Sequence, residues 1–115
     1  MMRIFIADDE EIIRDGIRNC IEKEQGRFLF AGEAPDGEMA LPMLMEMKPD
    51  VLITDIRMPE MDGLQLCAWV REHCPRTQII LLTGFPDFEY AQQAIQYQVA
   101  AFVLKPTTED ALTEA

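Results

Sequence analysis

Residues 51–63 have the sequence VLITDIRMPEMDG, and this stretch decides the fold. Its first four residues are apolar or β-branched, which is typical of a strand buried on both faces of a sheet. The following segment contains Pro59 and predicts a loop, and Asp62 is placed to cap a helix over residues 63–73. The stretch therefore predicts a strand, a loop and a helix, with Asp55 standing where the strand ends.

The same alternation of short apolar runs and amphipathic stretches extends over the rest of the chain. Further strands are predicted over four segments, which are residues 4–7, 28–31, 78–82 and 101–104. Strands that alternate with helices favour parallel pairing with right-handed crossovers. The chain has 115 residues, which is the size of one domain. The sequence thus predicts a single α/β domain with a five-stranded parallel sheet.

The predicted helices follow the strands and carry recognisable ends. Apolar residues recur at helical spacing after the first strand, and Gly26 stops that helix. Asp36 can cap a second helix that runs to about residue 47, in which Pro42 predicts a kink or a weak turn. Pro86 opens a helix after the fourth strand, and a short last helix begins at Thr107. Because that last helix is short, we expect the sequence to be cut from a longer protein.

The charge balance narrows the range of partners. Twenty-one acidic residues face ten basic ones, which gives a formal net charge of −11. This balance counts against binding of nucleic acid or of an anionic membrane by this chain, and it fits a cation site or a basic protein partner. The apolar runs are far shorter than the ~18 residues of a membrane span, and the N-terminus does not resemble a signal peptide. We therefore expect a soluble, cytoplasmic protein.

The sulfur-containing residues favour packing over chemistry. Cys20, Cys67 and Cys74 are an odd number and form no Cys-x-x-Cys pair, so small buried side chains are favoured over a disulfide or a zinc site. Half of the eight methionines cluster in the second helix, and we expect them to fill gaps in the core rather than to line a binding groove. These four are Met39, Met43, Met45 and Met47.

Polar side chains with complementary chemistry follow four of the predicted strands. Asp8 and Asp9 follow the first strand, Asp55 the third, Thr83 the fourth and Lys105 the fifth. In a parallel sheet these positions share the carboxyl edge, where open α/β sheets bind ligands. Acids and prolines also end strands without any function, but four such features at one edge favour a site.

The chemistry expected at this edge is phosphoryl acceptance. Carboxylates held together repel one another unless a cation joins them, and oxygen ligands of this kind suit Mg²⁺. Lys105 can pair with a phosphoryl oxygen, and Thr83 offers a hydroxyl donor. A carboxylate nucleophile beside a metal ion, a lysine and a hydroxyl is suited to receive a phosphoryl group.

Four motifs give the chain a resemblance to a known family. They are the acidic pair before Glu10, the run from Thr54 to Gly63, the Thr83-Gly84 step and the run Leu104-Lys105-Pro106. On these motifs the chain resembles the receiver domain of a two-component response regulator over essentially its whole length, residues 1–115. The resemblance implies a flavodoxin-like, doubly wound sheet with strand order 2-1-3-4-5. The stretch from Gly84 to Ala91 further resembles regulators with an AraC-type helix-turn-helix output domain.

The resemblance also implies residue roles. Asp55 would be the phosphoacceptor, and Asp9 would bind Mg²⁺ directly, with Asp8 acting mainly through water and the backbone carbonyl of Arg57 completing the protein ligands. Lys105 would contact the phosphoryl group and would be held by a cis peptide bond to Pro106. Thr83 and Phe102 would form the switch pair, and because Phe102 has no hydroxyl, its movement would be a packing event.

The resemblance implies the partners of the domain, and two alternative functions compete with it. A sensor histidine kinase would donate the phosphoryl group, phosphorylation would promote a homodimer, and an attached domain, rather than this fragment, would bind DNA. We expect no turnover of an external substrate, so the domain is not an enzyme in that sense. One alternative is a haloacid-dehalogenase-like phosphatase, which needs an acid two positions after the nucleophile, where this chain has Arg57. A stand-alone or degenerate receiver that acts only by protein contacts is the other.

Overall fold

Five parallel strands form one sheet in the computed structural model, which describes residues 2–23, 26–56, 58–83 and 101–104. Their order is β2-β1-β3-β4-β5, and every neighbouring pair is parallel. The predicted strand order and parallel pairing are therefore confirmed. The strands are β1 (Met2–Ala7), β2 (Phe28–Ala34), β3 (Val51–Asp55), β4 (Gln78–Thr83) and β5 (Ala101–Leu104).

Three helices lie in the described ranges: α1 (Glu11–Lys23), α2 (Gly37–Met47) and α3 (Gly63–His73). Two of them begin at the predicted caps, because the Asp36 side chain accepts from the Met39 amide and Asp62 forms a capping box with Gln65. In these ranges every helix falls short of the length and apolar character that a membrane span requires. The helices predicted from Pro86 and from Thr107 lie outside the described residues.

Strand β2 is longer than predicted and is irregular. Phe30 pairs with Ile4 and Gly32 pairs with Phe5, so Ala31 is an extra residue on this strand. A Cβ atom at residue 32 would lie 3.1 Å from the Phe5 ring, which favours glycine there. The sequence pattern missed the second half of β2 because glycine and glutamate are rare in strands.

The sheet is covered on both faces, as its strand composition predicts. Successive residues along β1, β3 and β4 alternate between two clusters, since side chains in a strand point to opposite faces. One cluster packs against α2 and α3 and contains Phe5, Leu44, Leu52, Leu66, Val70, Ile79 and Leu81. The other packs against α1 and contains Ile4, Ile6, Ile17, Ile21, Ile53, Ile80 and Leu82.

Helix α2 runs without a break through Pro42, and its methionines are divided between core and surface. Met43 and Met47 pack partly against the core, whereas Met39 is 57% exposed and Met45 is 48% exposed. The gap-filling prediction is therefore wrong for Met39 and Met45. The buried stripe of α2 consists of residues spaced for one helix face, and these two methionines lie off that face.

The cysteines are free thiols, and two of them are core residues as predicted. Cys67 and Cys74 are buried, and Cys20 is half-buried. Burial raises the pKa of the Cys67 thiol to about 12, with Arg71 opposing and Asp62 adding to this shift. Cys67 therefore stays protonated at neutral pH and is a poor nucleophile.

Candidate functional site

Four acidic side chains gather at the carboxyl end of the sheet. Asp8, Asp9, Glu10 and Asp55 each offer a carboxylate oxygen, and these oxygens all lie within 4.8 Å of one another. The sheet brings them together because β1 pairs with β3, with Ala7 opposite Thr54, so the residues after both strands meet. The prediction that Asp8, Asp9 and Asp55 lie close together at this edge is confirmed.

The four acids differ in burial. Asp8 is fully buried and Asp55 is 6% exposed, whereas Asp9 and Glu10 are exposed. The site thus has two carboxylates at its base and two at its mouth. Carboxylates removed from water need a compensating charge or strong hydrogen bonds, so the two at the base make the site receptive to a cation.

Short local hydrogen bonds orient the two buried acids. Asp8 Oδ1 accepts from the Glu10 amide at 2.8 Å, and Asp55 Oδ1 accepts from the Ile56 amide at 2.8 Å. The Asp8 amide donates to the Ala34 carbonyl at 3.1 Å, which ties the end of β1 to the edge strand β2. Backbone donors to a carboxylate favour its charged form and fix its direction.

The loop between β3 and α3 is held close to Asp55. The Gly63 amide donates to the Ile56 carbonyl at 2.7 Å, and a Cβ atom at residue 63 would collide with the Asp55 carbonyl oxygen. Glu60 has a φ of 66°, a left-handed conformation that non-glycine residues rarely adopt. The loop therefore turns back close to Asp55, and only glycine fits at residue 63, where α3 begins.

The donor set fits a hard divalent cation. All four groups are carboxylates, and Mg²⁺ binds through one or two carboxylates together with waters and phosphoryl oxygens. Nitrogen or sulfur ligands, which zinc and copper prefer, are absent from this cluster of described residues. Glu10 was not predicted as a member, although it directly follows the acidic pair in the sequence. Its place depends on the turn that the Glu10 amide closes onto Asp8.

The sequence model of the response regulator receiver domain matches residues 4–115. The chain belongs to this family. The receiver domain is 42% identical over 109 residues to YesN, an uncharacterized transcriptional regulatory protein of Bacillus subtilis, and this match covers 95% of the chain and 30% of YesN. It is 36% identical over 107 residues to the transcriptional regulatory protein HptR of Staphylococcus aureus, covering 92% of the chain and 41% of HptR.

Solved receiver structures have the same fold. The REC domain of AraT, a response regulator from Geobacillus stearothermophilus, superposes with a TM-score of 0.90 at 44% identity, covering 98% of this chain and 88% of that one. The receiver domain of the putative response regulator NarL from Mycobacterium tuberculosis gives a TM-score of 0.90 at 33% identity, covering 98% and 90%. The flavodoxin-like fold is thus confirmed, and the phosphatase alternative is not favoured.

The remaining predicted site residues are only partly described. Thr83 is the last residue of β4 and pairs with Leu104 of β5, and Phe102 of β5 pairs with Leu81 of β4. The structure places Thr83 and Phe102 by their backbones alone. Arg57, Lys105 and Pro106 lie outside the described residues, and the roles expected for them stay predictions. The chain spans less than half the length of YesN and of HptR.

Proposed function

We propose that this receiver domain accepts a phosphoryl group on Asp55 from a sensor histidine kinase, and that it requires Mg²⁺ to do so. The supporting observation is the acidic cluster, in which Asp55 at the end of the central strand β3 shares a site with Asp8, Asp9 and Glu10. Family membership supports the reaction, and the cluster supports the choice of acceptor.

The transfer step uses Asp55 as a nucleophile. A carboxylate oxygen of Asp55 forms a bond to phosphorus while the bond from phosphorus to the leaving group breaks. The leaving group departs with the electron pair and is protonated by water. The Ile56 amide, 2.8 Å from Asp55 Oδ1, orients the carboxylate for this attack, and orientation of this kind accounts for much of the catalysis of phosphoryl transfer.

The acids around Asp55 would hold the cation. Asp9 is exposed at the mouth and would bind Mg²⁺ directly, whereas the buried Asp8 would act mainly through water. The backbone carbonyl of Arg57 would complete the protein ligands, and Glu10 is a further carboxylate in reach of the cluster. Bound there, Mg²⁺ would neutralise charge shared by the carboxylates and the incoming phosphoryl oxygens.

The response to phosphorylation would involve strands β4 and β5, on the side of the sheet away from β2. Lys105, held by a cis peptide bond to Pro106, would contact the phosphoryl group, and the Thr83 hydroxyl would move toward it. The Phe102 ring would then repack, which changes the surface formed by the helix after β4, by β5 and by the last helix. A change of this kind shifts the populations of two packings.

The output is proposed to be transcriptional and to lie in another domain. YesN and HptR carry names of transcriptional regulatory proteins, and the match covers 30% and 41% of their lengths. We propose that residues 1–115 are the receiver domain of such a regulator, that phosphorylation promotes a homodimer, and that this acidic domain does not itself bind DNA. The complete open reading frame tests this directly, because a basic C-terminal domain with paired helices is expected.

Acetyl phosphate labelling with Mg²⁺ tests the acceptor. The parent should gain one acid-stable, hydroxylamine-labile phosphoryl group, and neither Asp55→Asn nor the parent in excess EDTA should gain it. Asp36→Asn is a matched control, because it neutralises an aspartate that follows β2 at the same edge of the sheet, while asparagine remains a good helix cap. Mass-spectrometric mapping of the group to a residue other than Asp55 would contradict the proposal.

A further inference from the structure

Arg14 on α1 contacts the backbone of the acidic pair. Its Nη1 donates to the carbonyl oxygen of Asp8 at 2.6 Å. The Arg14 side chain is only 14% exposed, so it is held against the protein rather than extended into solvent. The guanidinium is therefore half-buried next to a site that is expected to bind another cation. The carboxylates of Glu33 and of the acidic cluster attract it, and its hydrogen bond to the Asp8 carbonyl adds a direct hold on the backbone of the acidic pair.

A chain of ionic contacts holds Arg14 in place. Its Nε lies 3.6 Å from Glu33 Oε1 on β2, and the other oxygen of Glu33 accepts from Arg18 Nη1 at 3.2 Å. Arg18 Nη2 in turn contacts Asp15 at 2.6 Å, and its guanidinium lies 5.6 Å from the centre of the Phe30 ring. Partly buried pairs that share partners lose less side-chain entropy than isolated surface pairs, so this network is suited to fixing an orientation.

We propose that Arg14 is a positioning residue that fixes the turn carrying Asp8, Asp9 and Glu10. Three hydrogen bonds converge on Asp8: its carbonyl accepts from Arg14, its amide donates to Ala34, and its carboxylate accepts from the Glu10 amide. Together they hold the segment that carries three of the four clustered acids. The positioning of the turn rests on these hydrogen bonds alone. Its effect on Mg²⁺ affinity rests on the proposed cation site.

The sign of the effect on Mg²⁺ binding separates positioning from simple electrostatics. A positive charge near a cation site opposes binding, so removing it should tighten Mg²⁺ binding if charge is all that matters. If Arg14 orients the ligands, removing it should weaken binding, because residues that support metal ligands typically contribute about 10–100-fold in affinity.

Arg14→Met and Arg18→Met are a matched pair for this test. Both replace an arginine on the same face of α1 and change the net charge equally, but Arg18 has no described contact with Asp8. Mg²⁺ titration by isothermal calorimetry should give about tenfold weaker binding in Arg14→Met. Arg14 keeps its contacts with Asp8 and Glu33 in Arg18→Met, so this variant should bind Mg²⁺ as the parent does, or more tightly. Equal affinity of Arg14→Met and Arg18→Met would overturn the proposal.

Arg14→Lys supplies the rescue. Lysine keeps the positive charge and a donor for the Asp8 carbonyl, but it lacks the planar fork that also faces Glu33. Its Mg²⁺ affinity should lie between those of the parent and Arg14→Met. An affinity as low as that of Arg14→Met would show that the charge and single donor do not position the turn.

Amide exchange in metal-free buffer gives a readout that does not depend on Mg²⁺. The Glu10 amide should lose about tenfold of its protection in Arg14→Met and none in Arg18→Met, because a freed turn opens the hydrogen bond to Asp8. Unchanged protection in both variants would overturn the positioning role. If the parent binds no Mg²⁺ while Arg14→Met still loses this protection, the proposed cation site is contradicted and Arg14 remains the residue that orients the turn.

Discussion

The two ends of the sheet differ in how their charged side chains are arranged. At the carboxyl end, four carboxylates lie within 4.8 Å of one another. At the amino end, opposite charges are paired, because Arg3 Nε lies 3.8 Å from Asp50 Oδ2. Arg3 Nη2 also donates to the backbone carbonyl of Lys48 at 2.6 Å. The first arrangement concentrates repulsion, and the second removes it.

Backbone hydrogen bonds join neighbouring strands at both ends of the sheet. At the amino end, the Asp50 amide donates to the Arg3 carbonyl at 3.0 Å and the Gln78 amide to the Asp50 carbonyl at 2.9 Å. The buried Thr77 hydroxyl donates to the Pro49 carbonyl at 2.7 Å, and Arg71 donates to the Thr77 carbonyl. These bonds join successive strands to one another. At the carboxyl end the Asp8 amide donates to the Ala34 carbonyl at 3.1 Å and the Ile56 amide to the Leu82 carbonyl at 3.2 Å, and backbone amides there also orient the clustered carboxylates.

The difference indicates where stability and function reside. The amino end pairs its charged side chains and joins the strands, so it serves as a support. The carboxyl end holds acids that repel one another and gains most from a bound cation. Functional sites commonly retain such unfavourable local arrangements when the surrounding fold is stable enough to hold them.

The largest expected effect is at the return loop of the carboxyl end. Gly63→Ala should destabilise the domain by about 3 kcal/mol or more, because the added Cβ meets the Asp55 carbonyl oxygen and the backbone has to move. Gly16→Ala is the control, since a Cβ there meets nothing within 4 Å and α1 gains helix propensity of about 1 kcal/mol. Chemical denaturation of both variants measures the difference. A Gly63→Ala protein as stable as the parent would show that the loop is not tightly held.

Helix α3 joins the two ends, and Cys67 in its middle should make stability depend on alkaline pH. Its pKa is raised to about 12 in the folded protein, so the folded state keeps a proton that the unfolded state loses above its ordinary pKa of 9.0. The stabilisation is fully present below that pH. It should fall by up to about 1.4 kcal/mol per pH unit as the pH rises from 9 toward 12.

Cys67→Ala should make this dependence weaker, and the part that remains includes Cys74, whose pKa burial also raises. Cys20→Ala, at a half-buried cysteine, serves as the control. The measurement is the free energy of unfolding between pH 8 and pH 10.5, compared as slopes so that the cavity left by alanine does not matter. Equal slopes in Cys67→Ala and the parent would contradict the assigned cause.

A smaller effect should follow from removing one bond at the amino end. Thr77→Val keeps the shape of the side chain but leaves the Pro49 carbonyl without its donor, which should cost about 1 kcal/mol. Mg²⁺ affinity should not change, because the two ends are independent in this respect. A change in Mg²⁺ affinity in Thr77→Val would show that the supporting end also tunes the site.

Much of the fold was predictable because local and long-range signals agree. The caps Asp36 and Asp62, the short apolar runs and the return loop each match the elements that form. The extra residue Ala31 in β2 was not predictable, because a bulge depends on how a strand pairs with its neighbour. Met39 and Met45 were misjudged because composition does not reveal which helix face is covered.

The site was predictable to a similar degree. Asp8, Asp9 and Asp55 follow strands, so topology alone brings them together. Glu10 joins them through a local turn, and Arg14 reaches Asp8 through a side chain whose direction no sequence pattern fixes. Contacts of this kind depend on side-chain geometry and are found only in the folded molecule.

The most direct test is the free energy of unfolding of the parent and of Asp9→Asn, each with and without Mg²⁺. Without metal, Asp9→Asn should be the more stable protein, because one repelling charge is gone. With Mg²⁺ a hundredfold above its dissociation constant, the parent should gain about 2.7 kcal/mol and Asp9→Asn much less, so the order of stability reverses. A parent that gains nothing from Mg²⁺, or an Asp9→Asn protein that gains as much as the parent, would contradict the conclusion that these acids form a cation site.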